Sequence, residues 1–151
     1  MIKIQNLIIR EAQESDAEWI ANLSTQLGYP STPSDILVRL TKLNSNALNG
    51  IFIAEYDTVI GWIHVSVIES LESDPFAEIR GLVVDDSHRG SGVGTQLVTT
   101  AEEWSYKKGC VRIRVRTSMV RVESIKFYEK LGYLSKKIQN ILDKSLTGQR
   151  A

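Results

Sequence analysis

The sequence predicts an α/β domain, and three observations carry that expectation. Short apolar runs rich in β-branched residues stand before and after segments whose apolar residues recur at helical spacing. Three such runs follow one another through the middle of the chain, from Ile51 to Val84. A glycine-rich stretch, Arg89 to Gly94, then joins the last of them to a further helical segment. The order read from the chain is β-α-α-β-β-β-α-β-α-β-β. With 151 residues, 42% of them hydrophobic and 24% charged, there is material for one core, so a single domain over residues 1–151 is expected.

Taken in order, Ile4 to Ile9 fits a first strand. Ser15 or Asp16 caps a helix with Trp19, Ile20, Leu23 and Leu27 on one face, and Gly28, Tyr29 and Pro30 stop it. A second helix begins at about Asp35, presents Ile36, Leu37, Leu40 and Leu43, and fades among Asn44, Asn46 and Asn49. Ile51 to Glu55, Val59 to Ile68 and Ala77 to Val84 are separated by a turn at Tyr56 to Thr58 and a loop around Pro75, which predicts an antiparallel meander. Gly92 to Lys108 is helical, with Val93, Leu97, Ala101 and Trp104 sharing a face, and Gly109 ends it. Val111, Ile113 and Val115 alternate with Arg112, Arg114 and Arg116, the pattern of a strand whose arginine row is a solvated face. A last helix, Val122 to Leu131, ends at Gly132, and Tyr133 to Ile138 and Gln139 to Leu146 read as closing strands.

Lys plus Arg equals Asp plus Glu at 18 each, so no net field recruits nucleic acid or an anionic membrane, and neither is expected as a partner. A single cysteine, Cys110, excludes an internal disulfide and is read as a buried thiol. Met1 to Arg10 shows no signal-peptide pattern, and no apolar run approaches membrane-span length, so a cytoplasmic location is expected. His64 and His88 have no metal-ligand spacing with each other or with Cys110, and no metal site is expected.

Function is most legible from Ile79 to Thr95, where a strand runs through a glycine loop into a helix. Glycines let the backbone approach an anion, and the first helical turn offers unpaired N–H groups. A P-loop would need Gly-Lys-Ser/Thr, but Thr95 and Gln96 follow Gly94. A dinucleotide fingerprint lacks its third glycine, with Thr95 and Leu97 where it could fall. Arg89-Gly90-Ser91-Gly92-Val93-Gly94 instead resembles the R-G-x-G-x-G loop of the GNAT superfamily of N-acetyltransferases. About thirty residues on, Ile125 to Tyr133 resembles the family's A-x-x-F-Y-x-x-L-G-F segment. The β-α-α opening, the meander and the Leu27-Gly28-Tyr29-Pro30 turn agree as well, so the likeness covers nearly the whole chain.

The resemblance implies a mixed, mostly antiparallel sheet with helices on both faces. It also implies an enzyme moving an acetyl group from acetyl-CoA, the cosubstrate, directly to a primary amine on a small molecule or a protein. The amides of Arg89, Gly90, Ser91, Gly92, Val93, Gly94 and Thr95 would bind the pyrophosphate, with Arg89 adding charge. The backbone of Leu82, Val83 and Val84 would pair with pantetheine and polarise the thioester carbonyl. Tyr128 matches the tyrosine that protonates the leaving thiolate, and Glu78 stands where some members carry a base for the amine. On a regular strand Glu78 shares a face with Leu82 and Val84. Arg121 replaces the asparagine that contacts pantetheine in many members, and Ser124 is a further candidate to face the cofactor. Homodimers are frequent in the family. The rival reading is a non-catalytic acyl-CoA-binding sensor on the same fold, to which Tyr128 would be of no use.

Overall fold

The computed structural model describes residues 6–118 and 122–148. The chain forms two compact units, Met1–Arg116 and Thr117–Ala151.

The first unit holds a five-stranded sheet of β1 (Ile8–Glu11), β2 (Asn49–Tyr56), β3 (Thr58–Ile68), β4 (Phe76–Val84) and β5 (Ile113–Val115), ordered as in sequence. The first three pairings are antiparallel, and β4 with β5 is parallel, so the sheet is mixed and mostly antiparallel as expected. Between β1 and β2 lie α1 (Ala17–Gln26) and α2 (Pro33–Asn44), and α3 (Val93–Lys107) connects β4 to β5. Helix α1 is entered through a short 3-10 turn, Glu14–Asp16, in which the Gln13 amide donates to Asp16 at 2.7 Å. Pro33 opens α2, and the Thr32 hydroxyl accepts from the Asp35 amide at 3.1 Å.

Directly paired residues on neighbouring strands share a face, so the register assigns the side chains. One face presents Ile51, Ile53, Trp62 and Val83, and packs with Ile20, Leu23 and Leu40 of α1 and α2. Trp19 and Leu37, expected on the apolar sides of these helices, are exposed instead; Ala21 and Ser24 of α1 are buried. The other face presents Ile63, Val65, Ala77 and Ile79. At Gly61, paired with Val84 on this face, an added Cβ would meet Leu97 and Val93, which places α3 against it. Val93, Leu97 and Ala101 are buried along the predicted stripe of α3.

The last strand of the sheet is shorter than expected, covering Ile113–Val115 rather than starting at Val111, whose side chain is exposed. The second unit contains α4 (Val122–Lys130), which ends at Gly132 with the Tyr133 amide donating to the Tyr128 carbonyl at 3.0 Å. No helix or strand occupies residues 131–148, so the two closing strands are not formed. Leu134, Ile138, Ile141, Leu142 and Leu146 are all exposed, so the segment has no buried face of the kind that sets a strand in a sheet.

Candidate active site

The path from β4 into α3 is held at its start by side chains. Asp85 accepts from Ser87, His88 and Gln26, the last at 2.9 Å, and the Gln26 carbonyl accepts from the Asp86 amide at 3.1 Å. The hydrogen bonds from Ser87, Gln26 and His88 hold the Asp85 carboxyl far below the usual carboxylate range. The C-terminal end of α1 thus fixes the loop from one side, a tether with no signal in the sequence.

Beyond it, Gly90 and Gly92 take φ of 78° and 89°, a left-handed conformation that other residues adopt only under strain. Gly92 is the N-cap of α3 and gives no side-chain cap, and the helix's first turn carries no acidic residue. The first intrahelical donor after the loop is Gln96, to the Gly92 carbonyl at 3.1 Å. Among the described residues no amide from Gly90 to Thr95 has a protein acceptor. Six consecutive donors are therefore left at the positive end of a 15-residue helix, which fits a diphosphate. Val93 is buried, so only its backbone can serve. Ser91 donates its hydroxyl to the His88 carbonyl, and Arg89 pairs with Asp86 at 2.9 Å, which offsets part of its charge.

Strand β4 leads to this loop with one edge open. β5 pairs with it only from Ala77 to Ile79, so from Gly81 to Val84 no strand lies on that side among the described residues. The break begins at a β-bulge: His64 pairs with Gly81 and Val65 with Ile79, leaving Arg80 as the extra residue. The bulge corrects the expected parity. Glu78, paired with Ser66, lies on the Trp62 face, whereas Leu82 and Val84, paired with Ile63 and Gly61, lie on the α3 face. Gly81 marked the site in the sequence, because a glycine inside an apolar strand signals a bulge or a close approach. Here it is both: an added Cβ would stand 2.8 Å from the Trp62 ring.

Glu78 is only 4% exposed, and three guanidinium groups converge on it. Its Oε1 accepts from Arg114 Nε at 2.8 Å and from Arg116 Nε at 3.0 Å and lies 2.7 Å from Arg114 Nη2, while Oε2 accepts from Arg80. Burial works to raise the carboxyl, but the hydrogen bonds from Arg116 and Arg114 and the charges of Arg114 and Arg80 hold it below its ordinary value. The arginine row is thus not a freely solvated face. Beside it, His64 meets the Asn49 side-chain oxygen through Nε2 at 2.8 Å, and Ser66 donates to the same oxygen at 2.8 Å. That oxygen can only accept, so Nε2 carries the hydrogen. Burial, together with the charge of Arg80, pushes His64 down to about 4.

In the second unit, Tyr128 is buried in α4 between Phe127 and Tyr133, with ring centroids at 5.0 and 5.3 Å and edge-to-face geometry. Its hydroxyl makes no hydrogen bond among the described residues, and burial pushes the phenol up to about 12. Ser124 is half-buried one turn earlier on the same helix face. Arg121 lies outside the described residues.

The model of the Acetyltransferase (GNAT) family matches residues 15–133. The chain belongs to this family. Among GNAT relatives it is 32% identical over 132 residues to aminoglycoside N(6')-acetyltransferase type 1 of Salmonella enteritidis, covering 83% of this chain and 90% of that one. It is 40% identical over 65 residues to glucosamine 6-phosphate N-acetyltransferase of Trypanosoma brucei brucei, covering 43% and 42%. The chain spans less than half the length of several curated GNAT relatives it matches. In fold it resembles the structure of AAC(6')-Iy in complex with a bisubstrate analogue, with a TM-score of 0.83 at 24% identity over 93% of this chain and 99% of that one. Among the described residues no helix is long and apolar enough to cross a membrane.

Proposed function

We propose that the protein is an acetyl-CoA-dependent N-acetyltransferase whose acceptor is a primary amine, in line with the acetyltransferases it resembles. The observation that carries this reading is the run of unpartnered amides from Gly90 to Thr95 at the head of α3. They receive the diphosphate of coenzyme A, and the open edge of β4 from Leu82 to Val84 receives the pantetheine amides as an added strand would. With the diphosphate at the C-terminal end of β4, the thioester lies toward Gly81 and the bulge. An amide of this stretch polarises its carbonyl.

The amine nitrogen bonds to the acetyl carbon as the carbon–sulfur bond breaks. The nitrogen releases one proton to solvent and sulfur takes one from an acid that solvent reprotonates, leaving an amide and a free thiol. Tyr128 supplies the proton to sulfur, and its raised pKa keeps that proton on oxygen throughout the neutral range. Glu78 is reassigned in this reading from base to positioning residue, because a carboxylate with both oxygens on guanidinium groups is a poor proton acceptor. Thiol release from acetyl-CoA over an amine panel tests the reading, with Tyr128→Phe expected to lower kcat about 100- to 10,000-fold at unchanged acetyl-CoA affinity. Tight acetyl-CoA binding with no turnover of any amine would return the chain to the sensor reading.

A further inference from the structure

The three arginines on Glu78 leave an excess of charge. One carboxylate neutralises one guanidinium, and among the described residues the ion pairs of Arg80, Arg114 and Arg116 run to Glu78 alone. Their side chains nonetheless reach solvent, at 49%, 32% and 54% exposure, while the carboxylate that gathers them is buried. Arg116 meets Glu78 through Nε, so both of its Nη groups are left to donate, and Arg80 uses a single Nη. Arg114 is further fixed by stacking over Phe76, its guanidinium carbon 4.6 Å from the ring centre. Held this way, the planar donors are organised before any ligand arrives, as two-pronged recognition of a phosphate or carboxylate requires.

Their place in the fold says which molecule the anion belongs to. Arg80 is the bulge, Arg114 pairs with Glu78, and Arg116 follows the last residue of β5, so all three stand where β4 and β5 part. From Glu78 to Val84 is about 20 Å of strand at ~3.3 Å per residue. The cluster is thus remote from the amides assigned to the cofactor's diphosphate and lies at the end of the open edge where the thioester arrives. The neighbouring His64, with its hydrogen on Nε2 toward Asn49, adds no opposing charge.

We propose that Arg80, Arg114 and Arg116, gathered by Glu78, bind an anionic group, a phosphate or a carboxylate, on the amine acceptor. This inference rests on the acetyl-transfer reading and narrows it. The acceptor is an amine that also carries an anion, and a polycationic aminoglycoside is disfavoured by the same charge. The excess positive charge also favours the neutral form of the amine, the form that attacks the thioester, and the proton that the nitrogen sheds after attack goes to solvent rather than to Glu78.

The test uses matched acceptors: an amino-sugar phosphate against the free amino sugar, β-alanine against its amide, and a polycationic aminoglycoside. Each is titrated by calorimetry into protein saturated with coenzyme A and is assayed for thiol release with acetyl-CoA. The anionic member of at least one pair is expected to bind and react at least 10-fold better at low salt, and which pair responds separates phosphate from carboxylate. In Arg116→Gln and Arg80→Gln, with folding checked by thermal melting, that ratio is expected to fall toward one. A ratio unaltered by both substitutions, or a preference for the neutral or polycationic acceptor, overturns the proposal and leaves acetyl transfer standing. So does binding of the anionic ligand to the protein without coenzyme A but not to the saturated protein, which would give the arginines to the cofactor. Failure to bind acetyl-CoA at all overturns both readings.

Discussion

Glu78 shows how a single side chain changes meaning once its neighbours are known. In the sequence it is a carboxylate at the right place to accept a proton; in the fold it is the buried counter-ion of three arginines. The two roles separate experimentally. Removing a base lowers turnover and leaves stability alone, whereas removing a buried partner leaves like charges facing one another. Glu78→Gln is therefore expected to destabilise the protein by about 2–4 kcal/mol, below the upper values for fully buried pairs because the arginines are partly solvated. Urea denaturation measures it, and a loss under about 0.5 kcal/mol, the scale of an ordinary surface change, would show the cluster to be incidental. Arg116→Gln, at the exposed edge of the same cluster, should cost less than Glu78→Gln.

At the scale of elements, the site is made by a strand that is interrupted and a helix that is uncapped. Gly92 carries the second feature: at φ 89° any side chain is strained, and displacement of its backbone turns neighbouring amides away from a common point. Gly92→Ala is expected to weaken acetyl-CoA binding about 10-fold or more by calorimetry, about 1.4 kcal/mol, while an equal change at Gly148, also at positive φ but outside the loop, leaves it unaltered. The glycine loop was legible from the sequence because its requirement is local: backbone freedom and a helix start are written in adjacent residues. The meander and the helices were legible for the same reason, as periodicity reports which face is buried. The bulge was not. Gly81 hints at one, but whether a bulge forms there depends on the β3 partner, and without it Glu78 would pair with Val67 and lie on the other face of the sheet. The closing strands are the converse case: Leu134, Ile138, Ile141, Leu142 and Leu146 supply apolar character locally, but all five are exposed, and a strand is set by the partner its apolar side chains bury against.

For the whole molecule, a net charge of zero conceals strong local pairing, and acid is what exposes it. Four groups of the first unit titrate lower in the fold than in the open chain, Asp85 with its three side-chain donors among them. Asp16 is 3% exposed; burial works to raise it, but hydrogen bonds from Arg10 and the Gln13 amide and the charge of Arg10 hold it down. Glu78 is held down against its own burial by its arginines, and burial brings His64 to about 4. A depressed pKa means that the unfolded chain binds the proton first. Stability from such a group is complete above its unfolded pKa and is lost as pH falls toward the folded one. For His64 the loss runs from about pH 6.5 down to 4, and for the three carboxylates it begins near the ordinary carboxylate value of about 4 and continues below. The melting temperature is thus expected to decline in two stages on acidification, the first belonging to one histidine. His64→Gln keeps an N–H donor for Asn49 and removes the titration, so the variant should melt at a constant temperature between pH 6.5 and 4.5 and then fall with the wild type. An unaltered first stage in that variant would place the early acid sensitivity elsewhere in the chain.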